Sequence, residues 1–98
     1  MAQFTLDLNK PLLDLDGNPI KNEGVEQTIG GTLAMALISS NKGNAVKMFD
    51  WAMNFHKGKA IVVDKSDKST LEEFVKENEM LTNLAKGQIL EVIHAAKD

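Results

Sequence analysis

The chain contains no cysteine and no tyrosine, and it has one tryptophan and two prolines in 98 residues. Without cysteine, disulfide staples, thiolate catalysis and cysteine-held zinc or iron–sulfur sites are excluded. Long hydrophobic runs are missing too. The longest, Leu33 to Ile38, falls far short of the roughly 20 apolar residues that span a bilayer. Basic residues are outnumbered by acidic ones. Eleven Lys+Arg stand against fourteen Asp+Glu, for a formal net charge of −3. That balance argues against a nucleic-acid partner, whose phosphates call for a basic surface. The first residues, Met1-Ala2-Gln3-Phe4-Thr5-Leu6-Asp7, show no basic stretch followed by an apolar one. A secretory signal is therefore not expected in this chain, and a cytoplasmic setting is.

What is present is ordinary globular material: 43% apolar and 26% charged residues, enough for one domain over residues 1–98. Phe4, Leu6 and Leu8 alternate with Thr5 and Asp7, as in a half-buried strand. Leu13 and Leu15 alternate again before Asp16-Gly17-Asn18-Pro19, a turn sequence, and Ile20 can begin a return strand. The expectation is a β-hairpin over residues 1–20, with Pro11 and Pro19 at a sheet edge. Residues 21–27 lack periodicity and read as an exposed loop.

A helical part is expected over 28–96. Thr28 can cap a first helix to about Ser39, apolar nearly all round, ended by Asn41-Lys42-Gly43. Asn44 can cap a second to about His56, whose Lys47, Asp50, Asn54 and Lys57 trace one narrow polar stripe. Residues 60–63 read as a short strand. Ser69 with Glu72 forms a capping box for a third helix, with Ser66 as the alternative cap, and Asn78 can stop it or cap the next. A fourth runs from about Leu81 to Ala95. Gly87 lies inside it at a cost of about 1 kcal/mol against alanine, and another backbone passing close by is the usual reason. The fold class is α+β and mostly helical: four helices with a small N-terminal antiparallel hairpin or three-stranded sheet.

Catalytic and ligand motifs are weak throughout. His56 and His94 both fall at helix C-terminal ends, where a cation is favoured, and no third metal ligand is placed by spacing. Asp14-Leu15-Asp16-Gly17-Asn18 resembles a calcium loop only superficially. Its glycine falls at the fourth position, and Val25 stands where the glutamate belongs. Gly30-Gly31-Thr32 opens a helix but lacks the Gly-Lys-Ser/Thr ending of a phosphate loop. No serine sits in a Gly-x-Ser-x-Gly elbow, and a helix-turn-helix around Thr82 would offer DNA only Lys86 before Lys97. No catalytic residue, cofactor site or metal site is assigned.

The feature with functional content is an apolar surplus. Met35, Ile38, Met48, Trp51, Met53 and Phe55 are hard to cover all at once in a domain of this size. Either the first two helices are the core, or part of this set is a protein interface, to which methionine and tryptophan are both suited.

The order of segments is also familiar. It runs Leu12-Leu13-Asp14-Leu15-Asp16-Gly17, Gly31-Thr32-Leu33-Ala34, Phe49-Asp50-Trp51-Ala52, Leu71 with Phe74-Val75, and Leu84-Ala85-Lys86-Gly87-Gln88-Ile89-Leu90-Glu91. Over nearly its whole length the chain resembles small, mostly uncharacterised proteins of about this size from tailed-phage and prophage genomes. The resemblance implies a phage origin and a helical fold, and it carries no functional residue. The combined expectation is a non-enzymatic phage-type protein, working in the host cytoplasm. It would bind protein, either itself or a phage or host protein, as an assembly or accessory factor. The alternative is a small host-directed inhibitor that binds a bacterial enzyme or sequesters a small ligand.

Overall fold

The computed structural model describes residues 3–41 and 43–96. Lys42, in the expected helix terminator, and Lys97 lie outside them. In chain order the elements are β1 (Gln3–Leu6), β2 (Lys21–Asn22), β3 (Val25–Glu26), α1 (Ile29–Ser39), α2 (Ala45–His56), β4 (Ile61–Asp64), α3 (Lys65–Glu77) and α4 (Asn83–Ala95). The fold is α+β, with four helices and two small antiparallel sheets among the described residues.

The alternation at the N-terminus forms a strand, but its partner is distant. β1 pairs with β4, Phe4 opposite Val63 and Leu6 opposite Ile61, rather than with residues inside the expected 1–20 hairpin. Both strands bury alternate residues: Leu6, Ile61 and Val63 are inside, while Thr5 and Val62 face out. The turn at Asp14–Asn18 does form. It carries only an isolated bridge, Leu13 to Pro19, and Pro11 bridges to Thr28. The prolines hold these stretches to single bridges because each lacks an N–H to donate. Residues 21–27, expected as a loop, form the exposed β2–β3 hairpin instead. Glu23 and Gly24 at its tip both take positive φ, 54° and 83°, as a tight two-residue hairpin turn requires.

Helix starts follow short-range chemistry. Thr28, Asn44 and Thr82 cap α1, α2 and α4 with their side-chain oxygens. α3 differs from expectation: Asp64, the last residue of β4, accepts from the Asp67 N–H at 2.7 Å, and Ser66 and Ser69 lie inside the helix. The chain enters α3 directly from β4, so the strand's final carboxylate takes the role given to the serines.

α1 and α2 pack antiparallel. A Cβ on Gly30, at the start of α1, would lie 3.1 Å from both the Leu8 and Phe55 carbonyl oxygens, so the bare backbone of α1 is wedged between the end of α2 and the N-terminal stretch. α3 and α4 close the other side with Leu71, Val75, Ile89 and Ile93, all fully buried, and one apolar cluster joins every helix with β1 and β4. The Lys68 ammonium sits 4.4 Å from the Phe4 ring centroid and ties α3 to β1. Gly87 departs from expectation. Among the described residues no backbone passes it, and a Cβ there meets nothing within 4 Å.

Candidate functional site

The six residues of the apolar surplus divide by helical phase. Met48, Trp51 and Phe55 point inward, at 7%, 6% and 2% exposure, and belong to the core. Their place as interface candidates is corrected accordingly: they belong to the buried apolar cluster, and of the three only Met48 also reaches the wall of a surface cleft. Met35, Ile38 and Met53 point outward, at 58%, 55% and 39%. Two residues outside that set join them, Val46 at 79% and Phe49 at 62%.

The geometry explains the division. On α2 the core residues recur at 48, 51, 52 and 55. Val46, Phe49 and Met53 recur at spacings of three and four on the opposite side, beside the polar stripe. On α1, Met35 and Ile38 are one turn apart and face away from Leu33 and Leu37. The antiparallel hairpin brings the two outer stripes side by side. Ile38 and Phe49 flank one cleft of about 410 Å³, with Leu37 and Met48 also in its lining. The five side chains leave on the order of 500 Å² of apolar surface open, toward the upper end of what a typical monomer shows in one patch.

Charge lies beside this face rather than in it. Lys47 reaches α3 and donates to Asp67 Oδ1 at 2.8 Å. The hydrogen bond and the charge of Asp67 raise the Lys47 pKa above its usual value. Asp50 and Lys57, of opposite sign, remain exposed along α2.

The weaker chemical motifs are absorbed by local structure. Asp14 Oδ1 accepts from the Asp16 and Asn18 N–H groups, each at 2.9 Å, so the calcium-like stretch is a turn held by its own carboxylate. The start of α1 has no free donor for an anion. The N–H groups of Ile29, Gly30, Gly31 and Thr32 go to Lys10, Leu8, Thr28 Oγ1 and the Thr28 carbonyl. His94 pairs with Glu72 at 2.6 Å, and His56 is exposed at the end of α2. Among the described residues no three His, Asp or Glu side chains converge as a metal set, and no helix is long and apolar enough to cross a membrane. Comparison of the chain with family models, curated proteins and solved structures finds no match.

Proposed function

We propose that this is a non-enzymatic protein-binding protein whose outer α1–α2 face is its contact surface, and that the first partner of that face is a second copy of the chain. The carrying observation is the five-residue apolar stripe Met35, Ile38, Val46, Phe49 and Met53, laid on two antiparallel helices directly opposite their core side. Two such faces laid together cover about 1,000 Å² before any polar rim is counted, the size at which specific interfaces begin. Two helix hairpins meeting through apolar faces complete a four-helix layer, a common way of burying such stripes. A phage- or prophage-type assembly or accessory role in the host cytoplasm is the concrete form of this reading, in keeping with the resemblance of the segment order.

Light scattering over a concentration series tests it. The wild-type chain is expected to associate into a defined oligomer. Phe49→Asp is expected to stay monomeric with an unchanged circular dichroism spectrum, because a side chain 62% exposed carries little of the fold. A wild-type chain that is monomeric throughout would sink the self-association reading.

A further inference from the structure

Gly87 is the residue that a single copy of the chain does not explain. Glycine is a poor helix former, yet here it sits inside α4 with open space where a Cβ would be. It opens on a groove of about 1090 Å³ between α4 and residues 10–15. Leu13, Ile29, Leu84 and Val92 give the groove apolar walls, and Leu15 lines it while remaining 93% exposed.

Residues 10–14 behave as an edge strand that runs into the turn at Leu15. The N–H groups of Leu12 and Asp14 donate inward to the Gln27 and Asn18 carbonyls, and the Lys10 and Leu12 carbonyls accept from Ile29 and Ile20. Because each peptide plane sets its C=O and N–H on opposite sides, the Pro11 carbonyl, both backbone groups of Leu13 and the N–H of Leu15, the first residue of the turn, face the other edge. There the Leu13 N–H donates to Gln88 Oε1 at 2.9 Å, and the Leu13 carbonyl accepts from Gln88 Nε2 at 2.7 Å. One side-chain amide thus gives Leu13 the acceptor and donor that one residue of a neighbouring strand would give. The Pro11 carbonyl and the Leu15 N–H, next along that edge, have no partner among the described residues.

We propose that this groove takes an extended peptide segment of a partner protein. Its backbone adds to the outer edge of residues 11–15 in place of the Gln88 amide and crosses α4 against the bare backbone at Gly87. An incoming strand pairs with four edge groups where Gln88 pairs with two, so the exchange gains hydrogen bonds as well as apolar cover. The charges lining the groove are one ammonium, Lys10, against two carboxylates, Asp14 and Glu91. They select an apolar segment carrying a basic residue. The site is separate from the outer α1–α2 face and does not depend on its role.

The test is selection of a displayed library of random eight-residue peptides on the full chain, followed by titration of one synthesised winner. Enriched sequences are expected to be apolar with a basic residue, and to shift the Leu15 and Gly87 amide signals in nitrogen-15 spectra. Gly87→Leu, a better helix former that fills the groove, is expected to keep its circular dichroism and lose at least roughly tenfold in affinity. Gln88→Ala, which removes the competing amide, is expected to bind several-fold tighter. The proposal is overturned if no sequence is enriched, if Gly87→Leu binds as well as wild type, or if Gln88→Ala binds more weakly.

Discussion

Alanine in place of glycine is expected to act in opposite directions at two helical positions, Gly30 and Gly87. Intrinsic propensity favours alanine by about 1 kcal/mol in a helix interior, where Gly87 stands, and by less in the first turn, where Gly30 stands. At Gly87 nothing opposes that gain, since the added methyl meets no atom within 4 Å. The expected result is about 1 kcal/mol of stabilisation, a rise of roughly 4–8 °C in melting temperature for a chain of this length. At Gly30 the methyl would sit 3.1 Å from two backbone oxygens and 3.3 Å from the Leu8 Cβ. Neither oxygen is free to yield. The Leu8 carbonyl accepts from both Lys10 and Gly30, and the Phe55 carbonyl accepts from Gly58. Overpacking against fixed atoms costs about 1–3 kcal/mol, which exceeds the propensity gain over most of that range. Gly30→Ala is therefore expected to melt several degrees below wild type, and to lie about 2 kcal/mol below Gly87→Ala in stability. Thermal and urea unfolding followed by circular dichroism measure both. Shifts of the same sign and size would refute the wedge of α1 between Leu8 and Phe55.

The remaining predictions concern the caps, the core and one ion pair. Asp64→Ala is expected to cost about 1 kcal/mol in urea unfolding as the lost cap of α3, whereas Ser69→Ala should stay within about 0.5 kcal/mol. The reverse order would restore the capping box. Trp51→Ala empties a buried site and is expected to cost about 3–5 kcal/mol, enough to unfold much of the population at moderate temperature, in contrast to Phe49→Asp. A mild effect would place Trp51 back at the surface. The Lys47–Asp67 pair holds the lysine pKa above its usual 10.5, so its contribution is complete below that value. It is lost as pH rises through the higher pKa of the folded state. Lys47→Met is thus expected to lower stability at neutral pH and to match wild type in strong alkali. A deficit that persists there would assign the loss to packing.

Where structure is set by neighbours in sequence, it was legible. Thr28 and Asn44 cap the helices they were expected to cap, because a cap needs only the next turn's N–H groups. The pairing of β1 with β4 was not legible, since alternation marks a strand and says nothing of a partner beyond two intervening helices. The α3 cap was missed for the same reason: Asp64 closes β4 through its pairing with Gln3 of β1, and the serines downstream look equally suitable in isolation. The exposed apolar face was half legible. Met35, Ile38 and Met53 were singled out together with three core residues, because an apolar surplus shows that something is uncovered without showing which side. Phe49 and Trp51 are both aromatic and two positions apart, and only the helical phase set by Met48, Ala52 and Phe55 puts one outside and the other in. The spacing of Val46, Phe49 and Met53 carried that information and could have been used.

The methionines allow the central claim to be read directly. Carbon-13 methyl spectra of methionine-labelled chain, recorded over a dilution series, report from Met35 and Met53 on the outer α1–α2 face. Met48 reports from the core, and Met80, 63% exposed between α3 and α4, from another surface. The account predicts that the Met35 and Met53 signals move together with concentration while Met80 holds still. Signals that all stay fixed, or a shift confined to Met80, would contradict it.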